Sequence, residues 1–264
     1  MKTIYLPICA LSGVLLLALC LGPQDSLAQE ISVFQYRHVP AENVAQFIYR
    51  ETKYWSQVAQ KAVDDDKLEF WALFQKVGGY DLPNSSNFLF INTFEDIDAS
   101  AGIWDASAVF PDVPIEEMET FSLSTVTSMF YVRPDTFIAA SHAVPPDDFN
   151  YVKFVYHNAS SSSDLIALEN EHWAPFIKAA MDNKQTTQVG WGNATILSPL
   201  GEDIKANTIS FDIYPSLKEA LDPTWDEDTV FPEEGLAKIN ELELNRRGTV
   251  VYRVVQVVAA PPEQ

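Results

Sequence analysis

One block of sequence occurs twice in this chain of 264 residues, at a spacing of about 120. Phe34-Gln35-Tyr36 returns as Phe154-Val155-Tyr156. Glu51 and Trp55, four apart, return as Glu169 and Trp173, and Trp71 returns as Trp191. Asn87 and Asn207 open similar apolar runs. Trp104-Asp105, followed by Val109-Phe110-Pro111-Asp112, returns as Trp225-Asp226, followed by Val230-Phe231-Pro232-Glu233. Ala139-Ala140 returns as Ala259-Ala260. Six matches in one order, three of them anchored on Trp, imply one structural unit written twice, so the fold must divide into two like halves.

Each copy reads as β-α-β-β-α-β. In the first, residues 31–38 alternate apolar and polar up to Pro40, which predicts a strand. Val44, Phe47, Ile48, Trp55, Val58 and Ala62 keep helical spacing over 44–62. Strands follow at 70–77, closed by Gly78 and Gly79, and at 88–94. A weak helical stretch is broken by Pro111 and Pro114, and a last strand over 127–140 bends at Pro134. The second copy gives strands at 152–158, 189–197, 208–214 and 249–258. Its helices fall at 165–181, capped by Ser163 or Asp164, and at 234–244. The class is α+β, two tandem ferredoxin-like repeats, each an antiparallel sheet with helices on one face. One such sheet leaves its other face bare, and two copies bury it by packing sheet against sheet. The expected boundaries are 29–142 for the first repeat, 143–150 for a Pro- and Asp-rich linker, and 151–264 for the second repeat.

The first 28 residues read as a signal peptide. Lys2 supplies a positive start, the apolar run 6–21 is too short for a membrane span, and Ser26-Leu27-Ala28 fits a cleavage site. Both cysteines, Cys9 and Cys20, lie in this segment, so the mature part has no disulfide, no thiolate nucleophile and no Cys-ligated metal. Export to a bacterial periplasm or the exterior is expected, with no membrane association after cleavage. A net charge of −20 without clustered Lys or Arg argues against nucleic acid and anionic membrane surfaces as partners.

This arrangement resembles the dimeric α/β barrel superfamily in a fused, tandem form. The resemblance spans the whole mature chain and rests on element order, the duplication and the helix after the first strand; no catalytic signature of a member is present. It implies an intramolecular pseudo-dimeric α/β barrel, hence a monomer, with pockets between sheet and helices. Members include cofactor-free monooxygenases acting on quinone-like aromatics, haem enzymes, small isomerases and stress-induced proteins.

Candidate site residues follow from the repeat. His38 ends the first strand on the face of Phe34 and Tyr36, and its repeat partner is Asn158. One reading makes it a catalytic base toward a ligand contacted by Tyr36; the other leaves it in solvent at a strand end. Trp71, Asn92 and Glu51 complete a ligand-binding set: an indole wall, an amide for a ligand carbonyl, and a helical carboxylate four residues before Trp55. The alternative is an ordinary core, with Glu51 and Glu169 structural. Asp212 takes the place of Asn92 in the second copy. His157 and His172 have no metal-ligand spacing, although His172 is the one helical candidate for a haem ligand. The expectation is therefore a small apolar or aromatic ligand, no metal and no cofactor, with monooxygenase-like chemistry possible. The competing reading is a non-catalytic envelope or extracellular interaction protein.

Overall fold

The computed structural model describes residues 30–78, 85–94, 96–145, 147–201, 206–245 and 248–260. The expected signal segment lies outside them, as do Gly79 and one residue of the expected linker, Pro146.

Eight strands form one closed antiparallel barrel. They are β1 (Ile31–His38), β2 (Phe70–Lys76), β3 (Phe88–Phe94), β4 (Thr125–Ala139), β5 (Tyr151–His157), β6 (Gly190–Ser198), β7 (Thr208–Tyr214) and β8 (Gly248–Ala259). Around the barrel the order is β1-β3-β2-β8-β5-β7-β6-β4. The first four strands thus lie as β4-β1-β3-β2 and the last four as β8-β5-β7-β6, the same relative order. The two groups do not merely stack face to face. They join edge to edge through β2 with β8 and β4 with β6, which leaves no unpaired strand edge in the ring.

β4 carries Pro134 in mid-strand. Its pairing with β6 shifts register between Pro134 and Thr136, and this irregularity accommodates a residue that has no N–H to donate. β4 runs for 15 residues and starts two residues earlier than its sequence pattern suggests.

The period of two sorts strand residues onto two faces. Phe34, Tyr36, Phe74, Phe154, Ile213 and Tyr252 pack inside the barrel. Phe34 meets its repeat partner Phe154 edge to face, with ring centroids 6.0 Å apart. Burying each such ring contributes roughly 2 kcal/mol. Trp71, Leu73, Phe88 and Phe90 face outward and are covered by helices.

The long helices of the two halves share one irregularity. In the first half α1 (Val44–Arg50) and α2 (Ser56–Asp64) are joined by a π-turn, Glu51–Trp55. In the second, α4 (Ser162–Leu168) and α5 (Ala174–Asp182) are joined by a π-turn, Glu169–Trp173. A π-turn inserts one residue into the helical ladder and re-aims the side chains around it, a device frequent at functional sites. Both inserted turns start at a glutamate whose side chain is buried against the sheet. Ser161, not Ser163 or Asp164, caps α4 by accepting the Asp164 N–H.

The second helical region differs between the halves. In the first it shrinks to α3 (Ile115–Met118) among 3-10 turns. In the second it holds α6 (Leu217–Leu221) and α7 (Glu233–Leu242). The repeated Trp-Asp block staples this region: Phe110 packs on Tyr54, and Trp225 stacks on Phe176 and meets Phe231. Trp104 is 39% exposed and joins no such stack among the described residues.

Candidate functional site

The five residues singled out from sequence do not meet. Trp71 pairs with Asn92, and Asn92 with Val33, so these lie on the helix side of the sheet with Glu51 above. Tyr36 lies inside the barrel, where its hydroxyl is 2.8 Å from that of Tyr156. His38 shares the parity of Tyr36 and sits five residues along β1 from the Trp71 row, about 16 Å away at the strand rise. Its Nδ1 is 2.7 Å from the Ser85 carbonyl oxygen. Trp71 and Asn92 thus lie on the opposite side of the sheet from Tyr36. Trp71 is a packed core residue against Phe90.

Among the described residues a cavity lies in the second half, between sheet and helices. It measures about 140 Å³ and is lined by Val155, His157, Glu169, Trp173, Trp191, Ser210, Asp212, Leu236 and Ile239. Each wall has a clear origin. β5 ends on His157, next to Ser210 on β7, and Asp212 follows two residues later on the same face. β6 places Trp191 opposite Asp212. The π-turn supplies Glu169 and Trp173, and α7 roofs the space with Leu236 and Ile239.

Within it a chain of polar groups converges on one imidazole. His157 Nδ1 is 2.5 Å from Glu243 Oε1, and Nε2 is 2.7 Å from Ser210 Oγ. A carboxylate only accepts, so with Glu243 ionised the ring proton sits on Nδ1, and Nε2 accepts from the Ser210 hydroxyl. Glu169 Oε1 stands 3.9 Å from Nε2. Its other oxygen accepts a 3.0 Å bond from Asn193 Nδ2. Asn193 is itself held by the Thr136 N–H and by Asn170, which donates to Asp135, so β4 braces the π-turn. Asp212 accepts from Gln188 Nε2 at 3.0 Å. Burial pushes its carboxyl up to about 6, against the opposing pull of Lys153 and the Gln188 bond. Asp212 thus shares one cavity with the His157 imidazole.

In the first half the matching positions carry other groups. Arg37 stands where His157 does, Phe90 where Ser210 does and Asn92 where Asp212 does, each 120 residues earlier. Glu51 keeps the place of Glu169 and accepts the Thr120 hydroxyl at 2.7 Å. The Arg37 guanidinium lies 4.7 Å from the Phe121 ring centroid and within 6 Å of those of Phe47 and Phe90. Burial drives its pKa down, while Glu51 and Glu119 oppose the fall. Burial also pushes the Glu51 carboxyl up to about 7, despite Thr120 and Arg37. At two of these three positions, 37 and 90, the first half carries the larger side chain.

Glu243 and Ser210 escaped the sequence reading, and His157 entered it only as a residue without metal-ligand spacing. The available signal was the offset of 120, which aligns His157 with Arg37 and Ser210 with Phe90.

A haem group does not fit this site. The cavity has about the volume of an engineered cavity that holds benzene. Both ring nitrogens of His157 are engaged, and His172 packs against Gly235 of α7. Among the described residues no group of three or more His, Cys, Asp or Glu side chains is placed to hold a metal ion.

No family model and no curated protein matches the chain. Among solved structures it is similar to a candidate monooxygenase from Lactobacillus acidophilus NCFM, with a TM-score of 0.57 at 10% identity over 88% of this chain and 96% of that one. It is also similar to an anthrone oxidase-like protein, with a TM-score of 0.53 at 12% identity over 87% and 92%. At such identities the likeness is one of fold: an α+β protein of the dimeric α/β barrel type, its eight-stranded barrel closed within one chain.

Proposed function

We propose that this is an exported small-molecule-binding protein whose working site is the second-half cavity, with His157 as a proton acceptor reached through the Ser210 hydroxyl and no cofactor. The observation that carries the reading is the Glu243–His157–Ser210 chain at the cavity wall. Glu243 orients the imidazole and stabilises its protonated form, as the third group does in any carboxylate–His pair. Asp212 offers an acid across the same space. Abstraction of a proton from a compact ligand is the step these groups are built for, and it is the first step of monooxygenation without a cofactor. The fold shared with a candidate monooxygenase and an anthrone oxidase-like protein supports the same direction by analogy.

The rest of the reading has separate supports. The segment 1–28 has the features of a cleaved signal. The repeated strand order and the offset of 120 favour descent from one duplicated ferredoxin-like unit, with boundaries 29–142 and 151–264 around the linker 143–150. The closed ring favours a monomer.

Titration of the purified protein with cyclopentanol, cyclopentanone and cyclopentylamine tests the site, read by fluorescence of Trp173 and Trp191. Exchange of the α-hydrogens of cyclopentanone in D2O tests the base. Binding by at least one of the three, with exchange abolished in His157→Gln, is the expected result. No binding by any of them overturns the reading in favour of the non-catalytic interaction protein, which the exposure of Phe121 (70%) and Val230 (86%) favours.

A further inference from the structure

The ring of strands closes, but β4 outruns it. Residues 125–132 of β4 pair with β1, and residues 131–139 pair with β6. Over 125–130 the strand therefore has β1 on one side, and among the described residues none pairs with its other side. Residues 125–129 are all exposed, Val126 to 40% and Met129 to 38%, and Tyr131, where the β6 pairing starts, to 39%. An edge of this kind offers a row of backbone N–H and C=O groups to any strand that reaches it, and lysine, proline or a bulge commonly blunts it. Here a bulge stands alone in that role, at Thr127, which the β1 register skips between Ser128 and Val126. Pro134 comes later, where β6 already covers β4. From Thr120 to Val132 no residue carries a charge, in a chain whose net charge is −20. Threonine, valine, phenylalanine and tyrosine, which suit a strand, recur along this stretch. Before β8, the counterpart of β4, the sequence instead places Arg246 and Arg247.

We infer that residues 125–130 of β4 are a self-association edge, on which a second copy of this chain lays the same residues antiparallel. A two-fold axis sets the free backbone groups of one copy against those of the other, so a single edge satisfies itself. Two chains of net charge −20 repel wherever acid faces acid. The uncharged stretch is a place where two backbones approach without setting like charges opposite one another. A basic partner would find no acid on this segment to pair with, so charge favours the chain's own edge as the occupant. The contact is small. An edge this short buries less than the about 1,200 Å² of lasting interfaces. The pair therefore forms at high concentration, and the single closed ring is the species at low concentration. This goes beyond the reading of the cavity and does not depend on it.

Sedimentation equilibrium of the whole purified protein, from about 1 μM to about 1 mM, reads the mass of the species. Salt at about 0.5 M screens the net charge during the measurement. Amide hydrogen exchange at both ends of the range reads the place of contact. The expected mass rises toward that of two chains and no further, and exchange at 125–130 slows severalfold at the high end. Met129→Lys and Val126→Lys, both at exposed side chains, should keep the circular dichroism spectrum and stay single over the same range. Val230→Lys, at a residue 86% exposed outside β4, should pair like wild type. A mass of one chain throughout overturns the proposal. Growth past two chains overturns it as well, because a two-fold pairing closes at two. Pairing that leaves exchange at 125–130 unchanged, or that survives Met129→Lys and is lost in Val230→Lys, places the contact on another surface and overturns this one. Should a lysine variant fail to fold, the exchange at 125–130 in wild type decides.

Discussion

The hydroxyls of Tyr36 and Tyr156 lie 2.8 Å apart inside the barrel, although 120 residues separate them in sequence. They occupy the same place in the two halves, so the bond joins a position to its own counterpart. Burial pushes both phenols well above their ordinary range, and each is therefore a neutral donor and acceptor. Tyr36→Phe leaves one buried hydroxyl short of a partner and is expected to destabilise the protein by about 1 kcal/mol. Urea unfolding followed by far-UV circular dichroism and by Trp fluorescence measures it. Coincident single transitions are expected, because the halves share this interior. Two separate transitions would show that they unfold independently.

Glu51 should make stability depend on pH. Its folded pKa, about 7, lies above its ordinary value of 4.5 because burial disfavours the charge. Between those values the folded state binds more protons than the unfolded one, so this contribution is complete below about 4.5 and is lost as pH rises through 7. Asp212, raised from 3.8 to about 6, acts with the same sign over a lower window. Glu51→Gln keeps an acceptor for the Thr120 hydroxyl and removes the titration. Its urea midpoint should fall less than that of wild type between pH 5 and pH 8, by about 2 kcal/mol in stability. Parallel pH profiles of the two proteins would show that Glu51 carries no such linkage.

Ser210→Phe tests the second-half cavity as the binding site. It places in the second half the residue that Phe90 represents in the first, and it fills the cavity. The His157 Nε2 loses its hydroxyl partner, at about 1–3 kcal/mol. The variant is expected to fold, with a lowered melting temperature, and to bind neither cyclopentanol nor cyclopentylammonium in calorimetry. Retained binding would place the site elsewhere.

Gly235 allows α7 to lie against the second-half π-turn. A Cβ at this position would overlap the Cβ and Cγ of His172. Gly235→Ala must therefore push α7 outward despite the better helix propensity of alanine. A loss of about 1–3 kcal/mol is expected from overpacking. Because α7 is followed by Glu243, weaker ligand binding should accompany it. A rise in melting temperature would show that the contact relaxes freely.

The offset of 120 made the two-fold plan and the order of strands legible, because aromatic anchors such as Trp71 and Trp191 hold the same place in each half. The faces were harder to read. Alternation places Tyr36 and His38 on one side of β1, yet nothing in sequence says that Trp71 and Asn92, on other strands, face the opposite side. The π-turns left no trace beyond Glu51 and Glu169 recurring four residues before Trp, a spacing that an ordinary helix also satisfies. Around the second-half cavity the two halves differ in Phe90 against Ser210 and Arg37 against His157. Those are changes of volume, whose effect depends on how helix and sheet pack. Glu243 reaches His157 across 86 residues, and no local spacing announces such a partner.

The ring that β2, β8, β4 and β6 complete has a consequence for how such a molecule can change. A barrel assembled from two identical chains must repeat every substitution on both sides of its axis, so a residue that improves one pocket is imposed on the other. Here the two sides are spelled out separately along one chain. Position 37 is free to be an arginine resting on aromatic rings while position 157 is a histidine bordering a cavity, and neither choice constrains the other.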